Sequence, residues 1–245
     1  MITVRRANDR LHDQRRKREV WRTFYPQAPA DPGANGFGAL EFLNEVCLPP
    51  DCSVPRCRTG DAEIITYVCE GALAYEDSTG RSGVIQAGEF QCRTSGRGIR
   101  HSEMNASRTD GARVFQVWLH PSEVGLEPAQ QQKRFSSAER RDGLCVVASP
   151  DGRRGSLHIH QAVLMYSAIL EPGQHVAHEL SQGRSAWLHL VRGEMALDGV
   201  VLTTGDGAGV KSECVVSFTA REESEILLLD FGERRRGRPT NEGVP

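Results

Sequence analysis

Residues 63–90 read EIITYVCEGALAYEDSTGRSGVIQAGEF, and the architecture of the chain can be inferred from this segment. Short runs of β-branched and apolar residues alternate with glycine, aspartate and serine, which is typical of hairpins. Parts of the segment recur: YVCEGALAY at 67–75 parallels HLVRGEMAL at 189–197, and VIQAGEF at 84–90 parallels VLTTGDG at 201–207. Because each copy reads strand, turn, strand, the repeat predicts two β-barrels of the same kind.

The flanking sequence has the same character. Further runs typical of strands lie at 113–119, 157–170, 185–191, 215–220 and 224–231, whereas 130–143 is the best candidate for a partly helical connector. We therefore predict an all-β fold with few short helices. The predicted domains are an N-terminal barrel (1–130), a C-terminal barrel (131–231) and a flexible tail (232–245).

Length and composition agree with two modest domains. The chain has 245 residues, of which 38% are hydrophobic and 25% charged, so a core can be buried and global disorder is not expected. A formal charge of −2 argues against a nucleic-acid partner, and no run of 18 apolar residues suggests a membrane span. Seven cysteines, an odd number, behind an N-terminus without a signal-like apolar core predict reduced thiols in the cytoplasm.

Histidines supply the candidate chemistry. His101 and Glu103 are two residues apart, so on a strand they share one face. An imidazole beside a carboxylate suits one iron, manganese, nickel or zinc ion, although a hydrogen-bonded surface pair has the same pattern. His158 and His160 form a second such pair, interpreted as structural strand residues. His175 and His178 lie three apart and are expected in a loop or at a rim.

The segment 61–105, together with GFGALEFLNE (36–45), VASPDGRRGSLHIHQ (147–161) and EILLLDF (225–231), resembles the pirin family, and in particular its bacterial members associated with quercetin 2,3-dioxygenase activity. This resemblance implies two cupin barrels, RmlC-like jelly rolls, packed face to face in one chain. It also implies a single metal site in the N-terminal barrel. The repeat agrees, because the places of His101 and Glu103 fall on Phe218 and Ala220 in the second copy.

The ligand set implied by the resemblance is incomplete here. His101 and Glu103 match a histidine and a glutamate of the family site. The family also has a His-x-His pair, six and four residues before the glutamate that corresponds to Glu63, and these places are occupied by Cys57 and Thr59. A Cys57 thiolate is a good ligand for zinc, nickel or ferrous iron, whereas Thr59 is a poor one.

The substitution leaves two interpretations open. In the first, Cys57, His101 and Glu103 hold a divalent transition metal, and the resemblance then implies a dioxygenase that cleaves a flavonoid-like molecule with Glu103 as the catalytic base. In the second, the barrel is metal-free and holds an ion pair or an anion. Arg56 and Arg58 would oppose a cation if they point inward, or lower the pKa of Cys57.

A metal-free barrel predicts different functions. Pirin-like proteins are linked to regulation through protein partners and to redox sensing, and the spacing of Cys47, Cys52 and Cys57 raises the hypothesis of a redox-sensitive cluster at the pocket mouth. A small-molecule-binding scaffold without dioxygenase activity is the further alternative.

Overall fold

The computed structural model describes residues 1–15, 17–25 and 31–232, and within them the chain is mostly strand. The strands of the first half are β1 (Ile2–Arg5), β2 (Leu11–Arg15), β3 (Arg18–Phe24), β4 (Leu40–Leu48), β5 (Ser53–Thr59), β6 (Glu63–Glu70), β7 (Ala72–Asp77), β8 (Ser82–Gln86), β9 (Glu89–Thr94), β10 (Ile99–Asn105), β11 (Ala112–Leu119) and β12 (Ala129–Arg134). The predicted tail lies outside the described residues from residue 233 onward.

The second half begins with the short helix α1 (Ser137–Arg141). Its strands are β13 (Cys145–Ser149), β14 (Leu157–His158), β15 (Val163–Leu170), β16 (His175–Glu179), β17 (Ser185–Arg192), β18 (Glu194–Leu197), β19 (Val200–Thr203), β20 (Gly207–Lys211), β21 (Val215–Ala220) and β22 (Ser224–Phe231). Short 3-10 turns span Ala7–Asp9, Pro32–Ala34 and Arg153–Gly155. The predicted all-β fold with few short helices is confirmed.

Each barrel consists of a seven-stranded and a four-stranded sheet. The N-terminal barrel combines the sheet β12-β9-β6-β11-β4-β3-β2 with the sheet β5-β10-β7-β8. The C-terminal barrel combines β1-β20-β17-β22-β15-β13-β14 with β16-β21-β18-β19. The two-copy architecture that the repeat predicts is therefore present, with β6 and β7 corresponding to β17 and β18.

Each barrel includes a strand that lies wholly or partly on the other side of the domain boundary predicted between residues 130 and 131. The first strand, β1, pairs antiparallel with β20, so that Ile2 lies opposite Val210 in the C-terminal sheet. At the other end, β12 pairs with β9, and Lys133 lies opposite Phe90 in the N-terminal sheet. The boundary predicted between residues 130 and 131 falls within β12.

The barrels pack face to face through their seven-stranded sheets, as predicted. One apolar cluster joins both halves, and within it the Trp187 ring lies 4.7 Å from Phe24 and 5.6 Å from Phe37 between centroids. Glycines on β20 make room for these rings. A Cβ at Gly207 would lie 2.2 Å from a Trp187 ring carbon, and one at Gly209 would lie 2.3 Å from Phe37.

The interiors of the two barrels differ in polarity. Phe218 and Ala220, the predicted counterparts of His101 and Glu103, lie on β21 within a continuous apolar core. The first barrel instead buries polar and charged side chains, namely Thr66, Gln91, Arg93, His101 and Glu103. Burying polar groups costs free energy unless they form hydrogen bonds or ion pairs with one another. A functional site is therefore expected in the first barrel.

Two local predictions are wrong. Residues 157–170 do not form one strand, because β14 runs parallel to β13 while β15 runs antiparallel to it, and the chain must reverse between them. His175 and His178 lie on strand β16 and not in a loop. Within the described ranges, no helix has the length and apolar character needed to cross a membrane.

Candidate functional site

The four predicted site residues lie on neighbouring strands of the four-stranded sheet in the first barrel. Cys57 and Thr59 are on β5, and His101 and Glu103 are on β10. Each pair is two residues apart and therefore shares a face of its strand. The antiparallel register places Cys57 directly opposite His101, and an irregularity in the pairing then separates His101 from Glu103.

Three of these residues are brought into contact. The Sγ of Cys57 lies 3.4 Å from Nε2 of His101 and 4.0 Å from Oγ1 of Thr59. Burial disfavours the charged imidazolium and the positive charge of Arg93 repels it, and together they lower the pKa of His101 to about 4. His101 is therefore neutral at neutral pH. Burial also raises the pKa of Cys57, so its sulfur is a thiol and a weak nucleophile.

Glu103 is engaged elsewhere. Its Oε2 accepts a 2.8 Å hydrogen bond from the Gln116 amide on β11, and its Oε1 lies 3.9 Å from a guanidinium nitrogen of Arg93. Burial raises the pKa of Glu103, while the charge of Arg93 and the hydrogen bond from Gln116 act in the opposite direction. The carboxylate is thus held by an amide and a cation of the protein itself.

Arg93 is the site residue that sequence reasoning missed. It lies on β9, its side chain is 4% exposed, and its guanidinium stands 5.4 Å from the centroid of the Tyr75 ring. Its Nη2 donates to Oε1 of Gln91 at 2.9 Å. The signal was the alternation of EFQCRT at 89–94, which places Arg93 on the same face as Gln91 and opposite to Phe90 and Cys92.

The arginines singled out from the sequence are not the ones that matter. Arg56 and Arg58 are exposed, and Arg56 pairs with Glu76 at the surface. They do not lower the pKa of Cys57, which is raised. All seven cysteines are free thiols, and burial raises the pKa of Cys47 to about 11 and also raises that of Cys57, which disfavours the reactive thiolate at these two positions of the hypothesised redox cluster.

The donor set differs from the three-histidine, one-glutamate set that the resemblance implied. Cys57 and His101 are in contact, but Thr59 is a poor ligand, and Glu103 accepts a hydrogen bond from Gln116 and lies 3.9 Å from Arg93. Across residues 1–15, 17–25 and 31–232, no group of three or more His, Cys, Asp and Glu side chains is arranged to hold a metal ion. The residues in this arrangement therefore do not fit a mononuclear metal centre.

A cavity of about 120 Å³ lies beside Glu103. Its walls are apolar, with polar groups from Gln116, Asn44 and two arginines, and its lining includes Val20, Val46, Leu48, Val54, Leu73, Val114, Arg18 and Arg22. Pockets for drug-sized ligands measure roughly 300–1,000 Å³. A larger cavity of about 400 Å³, which lies within this range, is also lined by Val54 and Glu103, together with Tyr75 and Ser102.

The remaining histidines serve other contacts. His160 lies at the junction of the barrels, where Nδ1 is 3.5 Å from Glu63 and 3.3 Å from the Thr94 hydroxyl. His158 stacks edge-on against it and is exposed. In the second barrel, His178 and Arg184 both hydrogen-bond to the buried carboxylate of Asp230. This network joins β16 to β22 and is interpreted as structural.

The low pKa of His101 predicts acid sensitivity. The unfolded chain takes up this proton near pH 6.5 and the folded chain only near pH 4, so the unfolded state binds more protons in between. Stability present above pH 6.5 is lost as the pH falls towards 4, by on the order of 3 kcal/mol for this group. We expect His101→Gln to remove this loss of stability, which is measured by urea unfolding at a series of pH values between 6.5 and 4.

The exposed His158 provides a matched control for the loss of one histidine, and His158→Gln is measured in parallel. His189, which is fully buried and also has a lowered pKa, remains in both variants, so only the difference from wild type is informative. Equal acid sensitivity in wild type and His101→Gln would contradict the prediction.

Two family models match the chain. The model described as Pirin covers residues 6–119, and the model described as the quercetinase C-terminal cupin domain covers residues 146–231. The two matches coincide with the N-terminal and C-terminal barrels.

Individual proteins are similar over nearly the full length. The quercetin 2,3-dioxygenase of Escherichia coli (strain K12) is 36% identical over 231 residues, which is 94% of this chain and 99% of that protein. The pirin-like protein of Caulobacter vibrioides is 34% identical over 201 residues, 82% of this chain and 86% of that protein. The crystal structure of the bacterial pirin YhhW from Escherichia coli in complex with nickel(II) superposes with a TM-score of 0.89 at 35% identity, covering 95% of this chain and 100% of that one.

Proposed function

This chain belongs to the pirin family, and from that premise we propose that its N-terminal barrel binds a small aromatic ligand without a metal ion and has no dioxygenase activity. The observation that carries the proposal is the pairing of Glu103 with Arg93. A carboxylate expected to bind a cation already has one, in a barrel where Cys57 and Thr59 stand in place of two histidine ligands. The contacts of Glu103 with Gln116 and Arg93 do not favour a metal-dependent cleavage.

The cavity indicates the class of ligand. Relatives are named for quercetin, a flavonoid, and the two cavities lined by Glu103 measure about 120 Å³ and 400 Å³. Apolar walls such as Val46 and Val114 suit the ring faces, while Gln116, Asn44 and the arginines at the lining suit a hydroxyl or acidic substituent. We therefore propose a ligand that carries a phenolic ring.

A quercetinase-type dioxygenase is the second candidate function. The observation that favours it is the 3.4 Å contact between Cys57 and His101, which with Glu103 could form an unusual Cys–His–Glu site for iron, manganese, nickel or zinc. Glu103 would first have to leave Arg93. A role as a regulatory scaffold for a protein partner would require neither a metal ion nor the separation of Glu103 from Arg93.

Elemental analysis and a turnover assay separate these candidates. Protein purified without added metal is expected to contain well below one equivalent of transition metal, and wild type should not consume quercetin with added iron, manganese, nickel, zinc or cobalt. Stoichiometric metal that is lost in Cys57→Ser, or metal-dependent turnover, would instead support the dioxygenase.

Binding is tested by titrating quercetin and simple phenols while observing methyl NMR signals of the cavity valines. We expect shifts that disappear in Val114→Phe, because the larger side chain fills the cavity. Val84→Phe is the control, since Val84 is exposed on β8. Unchanged methyl signals with every phenol would sink the binding proposal.

A further inference from the structure

We propose that Arg93 is the resident cation of the N-terminal barrel and that it excludes divalent metal ions from this site. The inference rests on the proposed metal-independent function and extends it, because it names the residue responsible. Restoring the two missing histidines is then insufficient to restore a metal centre. Arg93 has to be removed as well.

The placement of Arg93 is specific. Its guanidinium donates a hydrogen bond to Oε1 of Gln91 at 2.9 Å, faces the Tyr75 ring at 5.4 Å and lies 3.9 Å from the Glu103 carboxylate, while its buried Nε has no hydrogen-bond partner among the described residues. Tyr75 is in turn hydrogen-bonded by Gln130 from β12. The guanidinium is thus placed beside the carboxylate by contacts with Gln91 and Tyr75.

The charge balance of the barrel depends on this guanidinium. Glu103 is 7% exposed, and a buried carboxylate is costly unless a positive charge accompanies it. The nearby Asp77, opposite His101 on β7, is satisfied by its own turn through Thr79. Arg93 therefore provides Glu103 with the compensation that a metal ion would provide.

The same arrangement disfavours a metal ion. A cation bound by His101 and Glu103 would compete with Arg93 for the carboxylate and stand within several ångströms of a guanidinium that does not lose its proton. Two like charges at such a distance repel strongly in a buried site. The repulsion acts whatever residues occupy positions 57 and 59.

The test is a nickel(II) titration of three variants by calorimetry, with metal content after desalting and thermal unfolding as further readouts. The first variant is C57H/T59H, which restores the two histidines. The second, C57H/T59H/R93M, also removes the guanidinium. The third, C57H/T59H/R100M, is the matched control, because Arg100 is exposed on the same strand as His101 and its loss changes the net charge equally.

We expect C57H/T59H/R93M to bind one nickel(II) at least about 100-fold more tightly than either of the other variants. Its melting temperature should rise on adding nickel, because the metal restores the charge that Glu103 lost. The C57H/T59H variant keeps the Arg93 pair and is expected to fold, so tight stoichiometric binding by that variant alone would overturn the proposal. Equal affinities with and without Arg93 would also overturn it.

These outcomes are distinct from failure of the proposed function. Metal or quercetin turnover in the wild-type protein would refute metal independence. The affinities of the histidine-restored variants instead report on Arg93 itself.

Discussion

Replacing Arg140 with methionine is expected to lower the free energy of unfolding by about 3 kcal/mol, because it leaves a buried carboxylate short of its main cation. Arg140 lies on helix α1, between the barrels, and its Nη1 donates to Oε1 of Glu225 at 2.6 Å. Both side chains are less than a tenth exposed. The half-exposed Arg192 near the other carboxylate oxygen keeps the expected loss at the lower end of the range for broken buried pairs.

This pair also joins the two barrels. The hydroxyl of Tyr67 on β6 receives a 2.8 Å hydrogen bond from Arg140 and donates one to Glu225 on β22. A connector residue thus links a strand of the first barrel to a strand of the second. Loss of Arg140 should therefore weaken the coupling between the barrels as well as the total stability.

The neighbouring Arg141 offers a matched control on the same helix. Its pairs with Glu171 and Glu223 lie at the surface, with 37% of the Arg141 side chain exposed, and solvent screens such pairs so that they contribute little to stability. When R140M and R141M are unfolded in guanidinium chloride, only R140M should show a large decrease in the midpoint concentration. Equal shifts would mean that burial of the pair is not what stabilises it.

The two-barrel architecture could be predicted because the repeated pattern that indicates it lies within short segments of the sequence. A glycine turn between two apolar runs recurs at Gly71 and Gly193, and both adopt positive φ where an added Cβ would meet backbone within 2.6 Å. The addition of β1 to the C-terminal sheet could not be predicted in this way. Ile2 and Val210 are distant in sequence, and their pairing follows from how the barrels close rather than from either segment.

The candidate site was predictable in part for the same reason. Spacing alone puts His101 and Glu103 on one face, and the family resemblance places Cys57 and Thr59 beside them. Arg93 was missed because both faces of β9 are buried, one against the second barrel through Phe90 and Cys92 and one inside the first. Alternation then shows which residues share a face, but not which face contains the site.

A second large loss of stability is expected when Arg93 is replaced. Arg93→Met should lower the free energy of unfolding by about 3 kcal/mol, because Glu103 keeps its hydrogen bond from Gln116 but loses its cation. Glu103→Gln should also destabilise the protein, since it leaves a buried guanidinium without its carboxylate. The double variant removes both charges and should be more stable than Arg93→Met alone.

This cycle distinguishes a compensated charge pair from two independent buried side chains. Neutral methionine and glutamine leave no unpaired ion, so the two losses should fall short of additivity by about 2 kcal/mol in urea unfolding at neutral pH. The exposed pair of Arg97 and Glu127 provides the control cycle, for which a coupling below about 1 kcal/mol is expected. Additive losses at Arg93 and Glu103 would show that the guanidinium does not compensate the carboxylate. A strong coupling would show that Arg93 supplies the positive charge that compensates the buried Glu103 carboxylate.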